Sequence, residues 1–480
     1  MLFNSLHFAV FFAVVYAVYL ALDHKRQNLW LLAASYAFCV SWDWRFFAVL
    51  LEMTLVVHFC ALKMADSPDP KVRKRFLVLA LAACLVNLGV FKYFGFFSDT
   101  LVPLLRLLGV SVHPVVLGIG LPVGLSFYAF QAMGYAVDVH RKELDPSRRF
   151  SDFALFMAFF PRLIAGPIER GRDLLGQIAA PRRITFSGIS DGTYLLFWGL
   201  FEKMFVADNL AKLVDGVFSL PFPRVYYGPK ILIWGYAVFF QVYCDFDGYS
   251  NMARGLAKFL GFELSVNFEA PFIATNVSDY FRRWHITLTR WMRDYVYMPL
   301  TFRGNAGVLR AYLNTVLVMM LIAIWHEASL KFFVWGLYLS ALFVVYRLTK
   351  PLFDRIPQPS SPWLRGGIYS LRALFYSVWG LVIPSILFRA NSLPQAASMI
   401  AAIAGNFRYV PHAYFEEDLI RVLFFVWVVV AVGVYQHWKK DVLAVPHSAP
   451  WWIRAPFYLA CFYLIVLFGT SGYEYIYANF

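Results

Sequence analysis

Charge is what this sequence has least of. Only 15% of its 480 residues are Asp, Glu, Lys or Arg, against roughly 25% in a soluble domain. Cysteine is scarce too: Cys39, Cys60, Cys84, Cys244 and Cys461 form no CxxC pair, and four lie inside apolar runs while Cys244 closes one. That excludes a disulfide framework and a cysteine-built zinc site. There is no internal repeat, no low-complexity segment and no linker to a soluble domain; residues 439–450 read as a short loop. The start lacks a basic region followed by a small-residue cleavage site, so no cleavable signal peptide is expected. What abounds is apolar surface, 60% hydrophobic and 19% aromatic residues, with a mean hydropathy of +0.59. An aqueous fold could not cover that much, and a disordered chain would not carry it. The chain reads as a membrane protein.

Uncharged runs recur along its length: Met1–Leu22, Gln27–Trp42, Phe76–Phe91, Ile231–Cys244, Ala311–His326, Phe332–Tyr346, Ala373–Phe388, Val422–Trp438 and Ala455–Tyr473, with Phe46–Leu62 interrupted only by Glu52. At about 1.5 Å per residue the first crosses a bilayer core of about 30 Å. Four other stretches, 115–139, 152–170, 192–210 and 272–300, mix Gly, Pro and ionisable residues into apolar sequence. They read as broken, re-entrant or interfacial helices, which survive at membrane depth only where protein or a water-filled cavity surrounds them. The expectation is an all-α, polytopic chain of about 11 spans enclosing a cavity. It forms a single transmembrane domain over 1–480: N-terminal spans in 1–114, a core in 115–346 and C-terminal spans in 347–480.

Lys and Arg total 43 against 29 Asp and Glu, a net charge of +14. Nucleic-acid binding would need these cations on the face of a polar domain. They sit instead in short loops such as Lys25-Arg26 and 71–75, as the positive-inside rule places cytoplasmic loops, so the N-terminus is expected to face outward.

Two segments concentrate chemistry. His326 ends a 16-residue uncharged run, and an ionisable residue there is a functional candidate or a boundary histidine. Imidazole exchanges protons near neutral pH. HExxH metalloprotease spacing fails, because Leu330 stands where the second histidine belongs. Residues 276–295, read as a helix, carry an apolar stripe of Trp284, Leu288, Trp291 and Tyr295, with Arg282, Arg283, Arg290 and Arg293 on other faces and His285 among them. This describes either an interfacial helix with snorkelling arginines or a cationic wall for a phosphate-bearing donor. Gly188-Ile-Ser-Asp-Gly192 matches a hydrolase elbow only in letters, since that motif needs a preceding strand. Ser190 or Asp191 is expected to cap a helix there. Asp245-Phe-Asp-Gly248 opens like a calcium loop but lacks the downstream glutamate, and its carboxylates are expected to bond helix ends or line the cavity.

Arg282-Arg-Trp-His-Ile-Thr-Leu-Thr-Arg-Trp-Met-Arg-Asp-Tyr295 and Trp325-His326 followed by Trp335-Gly336 resemble the signature of the membrane-bound O-acyltransferases. Further segments resemble the bacterial polysaccharide O-acetyltransferase branch typified by alginate O-acetylation: Ser35-Tyr36 with Trp42-Asp-Trp44, Leu121–Tyr128, Phe159–Pro167, Asp245–Ser250, Phe388-Arg-Ala390 and the aromatic C-terminus. The resemblance spans nearly the whole chain. It implies tilted helices around a funnel or tunnel, with His326 as the catalytic histidine and His285 as the second histidine of the site. Glu327 replaces the glycine usual after the catalytic histidine, while Asp247 and Asn251 replace Ser and Asp.

The resemblance further implies an inner-membrane enzyme that takes an acetyl group from cytoplasmic acetyl-CoA as donor substrate, with no bound cofactor and no metal. In this reading His326 is the base, and His285 positions the donor or polarises its carbonyl. Arg282, Arg283, Arg290, Arg293 and Trp284 hold the donor, and Asp245, Asp247, Glu327 and Trp325 line the tunnel. The expected partners are a polysaccharide acceptor, a periplasmic acyltransferase and membrane lipid, without nucleic acid. The rival readings are a lipid-linked glycan transporter or flippase, a structural subunit of an export complex, and D-alanyl, peptidoglycan or protein acyl transfer.

Overall fold

The computed structural model describes residues 1–107, 120–219, 227–302, 307–355, 359–406, 415–470, 472–473 and 475–476. Among them every regular element is helical. Seven helices are long and apolar enough to cross a membrane: Trp44–Asp66, Pro70–Ser98, Val308–His326, Leu330–Phe353, Trp363–Arg389, Glu416–Lys439 and Trp451–Phe468. Two apolar helices are shorter, Leu6–Leu20 and Leu393–Gly405. The first is capped at Ser5 and closed at Ala21, so it is shorter than the span expected from the uncharged run. Ile231–Cys244 lies in the 32-residue helix Gly228–Phe259, which carries Lys and Asp residues along with its apolar ones. The described spans therefore do not by themselves reach the expected total of about 11.

The chain divides into two compact units. The first comprises Met1–Phe197, Tyr249–Ser265 and Tyr475–Phe480. In it, the Arg73 guanidinium donates to the carbonyls of Met64 (2.9 Å), Val139 (3.1 Å) and His140 (2.7 Å), satisfying helix-end acceptors that would otherwise lie unpaired in apolar surroundings. Residues 188–192 lie inside the helix Phe186–Leu200, so the elbow motif has no strand before it. The expected cap is also moved: Thr185 Oγ1, not Ser190 or Asp191, accepts the N–H of Gly188 at 3.0 Å. Asp191 instead pairs with Lys258 at 3.5 Å. Residues 115–119 of the first ambiguous stretch lie outside the described residues; its remainder builds the buried helix Leu125–Arg141.

The second unit comprises Trp198–Gly248 and Val266–Glu474. The stretch 192–210 contains a π-helical segment, Phe201–Ala207. Lys203, placed there, reaches Asp208 at 2.8 Å and Asp245 at 2.6 Å, and all three are buried. Stretch 272–300 is broken as expected, into Val277–Arg283, Ile286–Met292, a π-helical turn at Arg293–Tyr297 and Met298–Thr301. One continuous helix carrying the 284–295 stripe is thus replaced by a kinked series.

Helices Val308–His326 and Leu330–Phe353 form an antiparallel hairpin. A Cβ built on Gly336 would lie 2.8 Å from Ala323 Cβ and 3.0 Å from Met320 Sδ, so glycine is what lets the two backbones approach. The same contact seats Trp335 beside His326. Gly336→Val is expected to force the hairpin apart at a cost of about 1–3 kcal/mol, read as a lowered unfolding midpoint in detergent; an unchanged midpoint would show that the contact is slack.

Candidate active site

All residues of the site belong to the second unit. His326 is the last residue of Val308–His326 and is 5% exposed. Aromatic rings surround it: Trp325 at 4.7 Å between centroids, Trp335 at 5.4 Å, Phe388 at 5.6 Å and Phe332, stacked, at 5.9 Å. Trp335 is held in turn by donating Nε1–H to the Pro384 carbonyl at 3.1 Å.

His285 is 2% exposed and sits at the break between the first two short helices, with φ of 42° and ψ of 54°. The left-handed backbone is uncommon for a non-glycine residue and is maintained by pairing with residues 267–269. The Ile286 N–H donates to the Asn267 carbonyl at 2.9 Å, and the Glu269 N–H to the Arg283 carbonyl at 3.0 Å. Asn267 Oδ1 also accepts from Thr287 N (3.4 Å) and Thr287 Oγ1 (2.8 Å) and lies 3.2 Å from His285 Nδ1. An oxygen that accepts a backbone N–H is an acceptor, so Nδ1 carries the proton and Nε2 presents its lone pair. Burial lowers the basicity of this imidazole to a pKa of about 3, which keeps it neutral. Its ring packs on Phe246 at 4.7 Å and Trp325 at 5.9 Å. Trp325 therefore touches both histidines, bringing together residues 41 positions apart in the chain.

A cavity of about 530 Å³ lies in the same unit. Arg282, Arg290 and Arg293 line it, as does Arg347, a fourth arginine that sequence reasoning missed. Arg347 lies at the end of a long apolar helix, where a cation reads as ordinary snorkelling. Here it donates to Thr315 Oγ1 at 2.8 Å and to the Tyr297 hydroxyl at 3.2 Å. The lining also includes Ile286, adjacent to His285, and Ile322, one helical turn before His326. Neither histidine lines the cavity itself.

The remaining sequence-derived residues separate. Arg283 bonds Asp279 at 3.0 Å and lines a different cavity, of about 200 Å³, with Glu269, His437 and Lys440. Trp284 stacks on Tyr280 at 5.5 Å and meets Phe268 edge-on at 5.1 Å, within an aromatic cluster rather than the arginine-lined cavity. Asp245 is engaged by Lys203, and Asp247 is buried two residues on in the same helix; the helical backbone at 245–248 leaves no calcium-type loop. Asp245 accepts from the ammonium of Lys203 on another helix and is not among the residues lining the arginine-lined cavity. Glu327 caps the His326 helix through its backbone, and its side chain is half-exposed, 4.0 Å from Lys331. Asn267 was absent from the sequence reading, because an isolated asparagine in a loop carries no local signal.

The sequence profile of the membrane-bound O-acyltransferase (MBOAT) family matches residues 117–383, a stretch that holds both histidines and all four pocket arginines. The chain is 33% identical to the probable alginate O-acetylase AlgI of Azotobacter vinelandii over 93% of its length and 88% of that protein's. It is 36% identical to the probable alginate O-acetylase AlgI of Pseudomonas aeruginosa over 70% of this chain and 64% of the relative. To the peptidoglycan O-acetyltransferase of Helicobacter pylori it is 31% identical, over 72% of this chain and 70% of that one. Profile and relatives agree with the motifs around His285 and His326: the chain belongs to the membrane-bound O-acyltransferase family and is a multi-pass membrane O-acyltransferase.

Proposed function

We propose that the protein carries an acetyl group from cytoplasmic acetyl-CoA to hydroxyls of an extracytoplasmic, alginate-like polysaccharide across a bacterial inner membrane, directly or through a periplasmic acyltransferase partner. The observation that carries this reading is the cavity that four arginines line and that reaches Ile286, next in the chain to His285, and Ile322, one helical turn before His326. Arginine forks suit phosphates, and a thioester on a flexible arm anchored there would reach the histidine pair. The acceptor class rests on the names of the relatives.

Charge distribution supports the orientation. The ends of the spans on the arginine side carry Arg310, Arg347, Lys350, Arg355, Arg365, Arg372, Lys439, Lys440 and Arg454, with Asp354 and Asp441 among them. The opposite ends carry Glu327, Lys331, Arg389, Glu416, Glu417, Asp418 and Arg421. The first face is the basic one and so the cytoplasmic one. The basic loops at 25–26 and 71–75 support an outward N-terminus by the same rule.

In the reaction, His326 takes the hydroxyl proton as the acceptor oxygen attacks the thioester carbonyl, because an uncharged alcohol is a weak nucleophile. The tetrahedral intermediate collapses with cleavage of the C–S bond, and the imidazolium returns its proton to the departing thiolate. The products are an acetyl ester and a free thiol. His285, with its proton on Nδ1, offers Nε2 as an acceptor for an N–H of the donor arm. That fits positioning the donor; polarising its carbonyl would require a proton on Nε2.

Three outcomes test this. His326→Ala, at wild-type abundance in membranes, should lose about 10²- to 10⁴-fold in transfer of label from acetyl-CoA, the usual weight of a positioned base; normal transfer would overturn the assignment. Arg290→Ala or Arg347→Ala should raise KM for acetyl-CoA about tenfold with a smaller change in kcat, as loss of one charge-assisted bond predicts, and an unchanged KM would place the donor elsewhere. Asn267→Ala should lower kcat by up to about 100-fold through misplacement of His285, checked by steady-state kinetics on protein with an unaltered unfolding midpoint.

A further inference from the structure

A second cavity, of about 770 Å³, opens at the start of the 25-residue helix Phe415–Lys439. That helix is about 37 Å long, more than a bilayer core, and its other end, at Gln436 and His437, lines the small cavity that contains Arg283. The large cavity thus lies at the opposite membrane boundary from the arginine side, away from the donor site.

Its walls have two parts. Phe424, Phe425 and Phe468 line the apolar part, and on the same helix Ile420, Leu423 and Trp427 expose 66%, 53% and 57% of their surface on a span that acyl chains must flank. The polar part mixes signs. Lys230 pairs with Asp418 at 3.2 Å, and Trp234 Nε1 donates to the same carboxylate at 3.0 Å. Glu417 pairs with Arg421, both about half exposed. Lys212 is exposed on the facing helix Asp208–Phe218 and makes no ion pair within 4 Å among the described residues.

We propose that this cavity binds a glycerophospholipid with a phosphoethanolamine headgroup. Its phosphate meets Lys212 and Arg421, its primary ammonium meets the Glu417 carboxylate, and an acyl chain lies along Phe424 and Phe468. A headgroup bearing only negative charge would compete with Glu417 for Arg421 and offer that carboxylate no cation in return. A quaternary ammonium would offer that carboxylate no N–H. A neutral sugar would leave the Lys212 charge uncompensated. The lipid would bridge Asp208–Phe218 to the 415–439 helix, and through Asp208 it would brace the Lys203 ion pair with Asp245.

The test is native mass spectrometry of the detergent-purified full chain, delipidated and then offered equal amounts of phosphatidylethanolamine, phosphatidylcholine and phosphatidylglycerol. Wild-type protein should retain phosphatidylethanolamine in preference to both others. Lys212→Ala should lower its retention about tenfold, the loss of one charge-assisted bond. Glu417→Gln should abolish the preference over phosphatidylcholine while lipid is still bound. Lys350→Ala, on the opposite face, should change neither. Equal retention of the three lipids, a preference for phosphatidylglycerol, or wild-type selectivity in Lys212→Ala and Glu417→Gln would each overturn the proposal.

Discussion

Asn267 holds the candidate site together. Its carbonyl takes the N–H of Ile286 and its side-chain oxygen faces both Thr287 and His285, so one buried residue fixes a backbone break and an imidazole tautomer. Non-helical backbone in an apolar interior is tolerated only when its polar groups find partners inside the protein. Here those partners are supplied by residues 267–269.

The other fixed point is the hairpin of Val308–His326 and Leu330–Phe353. Gly336 lets the helices close, which lays Trp335 and Phe332 against the His326 ring. One histidine is thus oriented by hydrogen bonding and the other by aromatic packing, with Trp325 between them. Four arginines line a cavity that reaches Ile286 and Ile322, close in the chain to the two histidines. This lining suits a group transfer that starts from an anionic donor.

Much was legible in the chain before folding. Apolar runs marked the long helices, and the stretches 192–210 and 272–300, where Gly and ionisable residues interrupt apolar sequence, became a π-helical segment and a broken helix. His326 stood out as an ionisable residue at the end of an uncharged run. Arg347 did not, because a cation at a helix end looks the same whether it lines a cavity or merely reaches for headgroups. Arg283 and Trp284 looked like members of one wall with their neighbours, yet a break one residue later turns them into a separate cavity and an aromatic cluster. Asp245 reads as a helix-end or cavity carboxylate, and only the fold brings Lys203, 42 residues earlier, against it.

Sequence alone determined that this is an all-helical membrane protein and roughly where its long apolar helices run. Those properties follow from hydropathy and local interruption, which act over a few turns of chain. Only tertiary structure decided which arginines face one cavity, which nitrogen of His285 carries the proton, and that His285 and His326 share Trp325. Each of these depends on contacts between residues far apart in the chain, in a low-dielectric interior where every buried polar group must be paired.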